Sequence, residues 1–108
     1  MLKIELFNPE TEETETFTEN FVSSRHLRKA FEFYRKVEKE KIDELDQIDE
    51  LITLVSNAFR DPRVNFDSIL DGIESENLSK VLNDIILKII GGEAKKKEQK
   101  ENLKKVTK

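Results

Sequence analysis

The hydrophobic period changes once along this chain, and that change sets what it can fold into. Leu2, Ile4 and Leu6 are separated by Lys3 and Glu5, the period of two that places one set of side chains on one face of a strand. Asn8-Pro9-Glu10-Thr11-Glu12 follows with turn chemistry, since proline fixes φ and an asparagine side chain bonds its own backbone. Thr14, Thr16 and Thr18 then alternate with Glu13, Glu15 and Phe17, and β-branched threonine favours a second strand. The two segments predict a hairpin. A lone hairpin is marginal in water, so this one is expected to lean on the rest of the chain through Ile4, Leu6 and Phe17.

After the hairpin the spacing becomes three and four, which is helical. A first helix is expected from Ser23 or Ser24, either of which suits an N-cap, with Phe21 and Val22 placed to staple the first turn. Its stripe is Leu27, Ala30, Phe31, Tyr34 and Val37, with Phe33 off it. A second begins around Asp43 with the stripe Leu45, Ile48, Leu51, Ile52, Val55 and Phe59, acids in its first turn and Pro62 to stop it. No glycine or proline separates these two helices, so the sequence leaves open one nearly continuous helix or a kink near Lys39 to Ile42. Asn65 caps a short third helix carrying Phe66, Ile69 and Leu70, with Gly72 as its end. Ser75 opens a fourth, running to Ile90 and stopped by Gly91-Gly92.

At 108 residues the chain has room for one small domain. Residues 1–92 are read as that domain and 93–108 as a charged, flexible tail. The domain carries 12 basic against 20 acidic side chains, and the tail seven lysines against three acids. The expected class is mainly α (α+β): an N-terminal β-hairpin, then a small bundle of three longer helices and one short one, then a disordered Lys-rich tail. An acidic body repels nucleic-acid phosphates and anionic lipid. The longest apolar run, Ile85 to Leu87 and then Ile89-Ile90 after one lysine, falls far short of the ~20 residues of a membrane span, and the first residues do not read as a signal peptide. The chain therefore reads as soluble.

Chemistry finds little foothold. With no cysteine, thiolate zinc sites, iron–sulfur clusters, disulfides and a cysteine nucleophile are excluded. His26, the sole histidine, sits beside Arg25 and Arg28, and reads as a surface or hinge residue rather than a catalytic base. The acids between Glu38 and Glu50 lack the oxygen spacing and glycine turn of a calcium loop, and lysines 36, 39 and 41 interleave with them as on a solvated helix face. Gly91-Gly92 follows a helix instead of preceding one, unlike a phosphate loop. Gly-x-Ser-x-Gly is absent. No catalytic residue, metal or cofactor is expected.

The fourth helix carries the widest apolar sector. At ~100° per residue, Val81, Ile85, Leu78, Ile89, Leu82, Ile86 and Ile90 sweep about 180°, against a usual minimum of about 100°, and Leu87 lies beyond that arc. Two readings follow. Either the helix is central and surrounded by its own protein, or one flank, Ile86, Leu87 and Ile90, is covered by a partner.

A resemblance gives the second reading content. Thr16-Phe17-Thr18-Glu19-Asn20-Phe21-Val22-Ser23-Ser24-Arg25-His26-Leu27-Arg28-Lys29-Ala30 resembles the strand, Phe-Val-Ser and basic helix start of the tail assembly chaperones of long-tailed bacteriophages and prophages of Gram-positive bacteria. Asp43-Glu44-Leu45-Asp46-Gln47-Ile48-Asp49-Glu50-Leu51-Ile52 is similar to that family's second helix. Phe59, Phe66-Asp67, Leu70-Asp71-Gly72 and a final apolar helix ending in Gly91-Gly92 complete the order, over about residues 1–92. The resemblance implies a non-catalytic protein of the host cytoplasm, absent from the mature virion, that binds the tape measure protein and keeps it soluble until the tail-tube protein polymerises around it. The major tail-tube protein as a second partner and a homo-oligomer are left open. Family members often have a longer product made by ribosomal frameshifting, and Lys95-Lys96-Lys97 suits an adenine-rich slip site. Two other functions compete: a phage-encoded nucleic-acid-binding regulator using Arg25, Arg28, Lys29, Arg35 and Lys36, which Glu32 interrupts, and a generic oligomeric helical adaptor.

Overall fold

The structure, a computed structural model, describes residues 1–91. Strands β1 (Leu2–Asn8) and β2 (Glu13–Glu19) form the expected antiparallel hairpin, with Ile4 opposite Phe17 and Leu2 opposite Glu19. The Asn8 side chain accepts the Glu10 N–H at 2.9 Å, and the Glu12 N–H reaches the Asn8 carbonyl at 2.7 Å. That loop closes with Glu12 at φ 57, the left-handed conformation that a non-glycine residue adopts at a cost. Alternation decides the rest: Leu2, Ile4 and Leu6 are buried with Phe17, while Lys3, Glu5 and the threonines face out.

Four helices follow: α1 (Ser24–Lys39), α2 (Glu44–Ala58), α3 (Phe66–Gly72) and α4 (Leu78–Ile90). Together with the hairpin they give the mainly α (α+β) class that the sequence predicts. The question of a continuous first helix is answered by Glu40, whose backbone is extended (φ −115, ψ 140). The chain turns there, and α2 starts afresh at Asp43, whose side chain accepts the Asp46 N–H at 2.9 Å. α1 and α2 therefore lie side by side, joined across their exposed side by Lys36 Nζ and Glu50 Oε1 at 3.1 Å.

The core runs between the hairpin and this helix pair. α4 packs on α1, α2 and β1, and α3 packs on β1 and α2. Leu82 and Ile86 of α4, Ile52 and Val55 of α2, Ala30 of α1 and Ile69 of α3 are all fully buried. Each enclosed large aliphatic side chain contributes roughly 1.5–3 kcal/mol by leaving water. A polar clip supplements this. Glu19 is only 5% exposed and accepts the Arg60 N–H at 2.8 Å, Arg60 Nε at 3.0 Å and Arg60 Nη2 at 2.9 Å. These bonds, the side-chain ones foremost, lower the Glu19 carboxyl to a pKa of about 2. Nearby, the Arg63 guanidinium lies 4.9 Å from the Phe17 ring centroid, covering the outer side of that core residue.

Several local expectations are corrected. On α1, Phe33 is buried and Phe31 exposed, because the buried arc is centred on Ala30, Tyr34 and Val37 and the two phenylalanines flank it on opposite sides. Leu45 is 67% exposed, since the first turn of α2 projects beyond the core that holds the later stripe. α2 ends at Ala58, ahead of Pro62, with Phe59 extended. α4 starts at Leu78, not Ser75, because the preceding residues form a turn closed by the Asn77 N–H on the Glu74 carbonyl at 2.9 Å. Gly72 is the last residue of α3 and not its left-handed cap, since the cap residue Ile73 is extended. Its value is closeness: a Cβ there would stand 3.0 Å from the Phe7 carbonyl oxygen and 3.1 Å from Leu6 Cβ. Asn65 does cap α3, in a reciprocal box with Ser68. Gly91, at φ 61, ends α4. The tail expected at 93–108, with Lys95 to Lys97, lies outside the described residues.

Candidate functional site: a groove between the first two helices

A pair of packed helices has two grooves, and α4 fills one of them. The other is open. It has a volume of about 690 Å³, and no residue of α4 lines it among the described residues. Phe33 of α1 and Leu54 of α2, each 7% exposed, belong to its lining. On the α1 side stand Lys29, Glu32, Arg35, Lys36, Lys39 and, just past the helix end, Glu40, and on the α2 side Asp49, Glu50, Thr53 and Asn57.

The two helices differ in charge. α1 holds six basic residues against two acids, and α2 holds four acids and no base. One wall of the groove is thus basic and the other acidic. Of the two acids on the basic side, Glu32 and Glu40, the first is engaged by Arg28 Nε at 3.3 Å one turn earlier. The Lys36–Glu50 pair links the walls with both side chains partly in water, where such pairs add little to stability. The groove thus has two nearly buried apolar side chains at its base and charged or polar rims.

The residues singled out on the last helix end up elsewhere. Ile86 is 0% exposed and Ile90 is also buried, both inside the chain's own core. Leu87, beyond that arc, is half-buried. The wide apolar sector of α4 is wide because β1, α1 and α2 surround it, which is the central-helix alternative. His26 is half-buried in the first turn of α1, and its Nδ1 has no hydrogen-bond partner among the described residues. Burial first, and the Lys29 and Arg25 charges next, push its pKa down. Among the described residues no group of three or more His, Asp or Glu is placed to hold a metal ion, and no helix is long and apolar enough to cross a membrane.

Sequence reasoning missed the groove. Lys36, Lys39, Asp49 and Glu50 read there as a solvated face. The signal that points to them is the opposite charge of two consecutive helices, which gains meaning only once the chain is known to fold back between them.

The fold is a small helix-rich domain with a charge-lined groove between α1 and α2. A comparison with protein families makes the class specific: residues 1–106 match the phage tail chaperone protein family, and the chain belongs to it. No curated protein and no solved structure matches the chain.

Proposed function

We propose that this chain binds the tape measure protein of a long-tailed phage or prophage and keeps it soluble while the tail is built. The observation that carries the reading is membership of the phage tail chaperone family across nearly the whole chain. The groove between α1 and α2 supports it physically. A very long helical client exposes apolar stripes until tail-tube subunits enclose it, and such stripes associate in water. A carrier must offer them a partly apolar seat and present charge outward, and the α1–α2 face does both. Leu87 is the member of the Ile86, Leu87 and Ile90 trio that a partner reaches without opening the core.

In this reading the protein acts by stoichiometric binding, without catalysis, in the host cytoplasm, and is left out of the virion. The major tail-tube protein is a second candidate partner, and the client's release to it ends the cycle. A longer frameshifted product and a Gram-positive host belong to the same proposal. The test is co-expression with a soluble-tagged tape measure fragment followed by size-exclusion chromatography. Co-elution in one peak is expected. Separate elution, together with salt-sensitive retention of the chain on DNA, would replace this reading with the regulator.

A further inference from the structure

We propose that the α1–α2 groove sets the direction in which a client helix lies, selecting helices with one acidic and one basic flank. This rests on the tape-measure reading above. The two walls are unequal in charge. Lys29, Lys36 and Lys39 stand along α1, while Asp49 and Glu50 stand along α2. A helix with an apolar stripe between an acidic and a basic flank meets both walls with opposite charge in only one orientation. Turned end for end, it exchanges its flanks and puts like charges against each wall.

Two features make the polarity usable. The α1 side stays basic despite Glu32 and Glu40, because Lys29, Arg35, Lys36 and Lys39 outnumber them and Arg28 also faces Glu32 at 3.3 Å. The Lys36–Glu50 bridge spans 3.1 Å in partly exposed surroundings, so a client carboxylate and ammonium replace each partner's counter-charge at little loss. Phe33 and Leu54 add a nonpolar seat, and the lysine stems on the basic wall extend it. A helix of uniform charge meets one favourable and one unfavourable wall in either direction and gains no preference.

The experiment uses the full chain and a synthetic helical peptide with a leucine stripe, glutamates on one flank, lysines on the other and a nitroxide at its N-terminus. Broadening of backbone amide signals in nuclear magnetic resonance is read at the Lys29–Asn57 end of the groove and at the Lys39–Asp49 end. One end should broaden, with a preference of ~10-fold from the summed exposed charge pairs, shrinking as salt screens them. In the exchanged variant K29E/K36E/D49K/E50K the broadening should move to the opposite end. In the neutral variant K29Q/K36Q/D49N/E50Q, which decides the matter should the exchanged one fail to fold, it should be equal at both ends.

Equal broadening in the unaltered chain, or broadening that stays in place after exchange, overturns the inference. So do groove signals that shift with protein concentration alone, which would make the occupant a second copy. Loss of direction with a tape measure fragment still held in solution removes this inference and leaves the chaperone reading. Directional peptide binding with the fragment precipitating does the reverse.

Discussion

Replacing Ile86 with alanine is expected to destabilise the fold by about 3 kcal/mol, while the same change at the adjacent Leu87 costs about 1 kcal/mol. Ile86 is 0% exposed and sits in the core where α4 meets α1, α2 and β1. Three carbons are removed, and at ~0.8 kcal/mol per buried methylene that is roughly 2.4 kcal/mol before any cavity is counted. Neighbours on three elements do not all collapse into the space, so the residual cavity raises the total within the roughly 2–5 kcal/mol seen for such changes. Leu87 is half-buried, so less of its side chain returns to water. A domain of this size holds roughly 0.05–0.15 kcal/mol per residue, and the Ile86 loss is a large share of that. Urea titration followed by far-ultraviolet circular dichroism reads the difference. With a slope of about 1 kcal/mol per molar, the midpoint for Ile86→Ala should fall by roughly 3 M and that for Leu87→Ala by roughly 1 M. Equal, small shifts would refute the reasoning. They would mean that Ile86 is not enclosed by its own chain and would return it to the surface a partner covers.

Three further outcomes follow from the packing. Gly72→Ala should destabilise by about 1–2 kcal/mol in the same titration, because its Cβ would press on the Phe7 carbonyl and Leu6 and overpacking outweighs the better helix propensity of alanine; a gain in stability would show that β1 gives way. The lowered pKa of Glu19, about 2 against an ordinary 4.5, makes its stabilisation complete above pH 4.5 and lost as the pH falls toward 2. Thermal melts of the unaltered chain should thus converge on those of Glu19→Gln across that window, and parallel curves would contradict the Arg60 clip. Asn65→Ala removes the box with Ser68 and should cost ~1 kcal/mol, read as a lower urea midpoint.

How far the sequence was legible depended on how local each determinant is. The hairpin was readable because the alternation of Leu2, Ile4 and Leu6 and the Asn8 turn act over a few residues. The cap at Asn65 and the start of α2 near Asp43 were readable for the same reason. Helix faces were harder. Phe31 and Phe33 lie on either side of the buried arc of α1, so which one enters the core depends on where α2 and α4 approach. Leu45 fits the stripe of α2 but lies past the edge of the core, and a helical period has no knowledge of that edge. The width of the α4 sector showed that something surrounds the helix, yet a partner and its own fold leave the same pattern. The groove was not legible at all. It exists because Glu40 is extended and α2 returns beside α1, which brings together charges that are distant in the chain.

The most direct test of the central claim is light scattering of a tape measure fragment diluted from denaturant, with and without one equivalent of this chain. Scattering that stays well below the chain-free level with the unaltered chain is the predicted result. Scattering that rises equally with and without the unaltered chain would contradict the account.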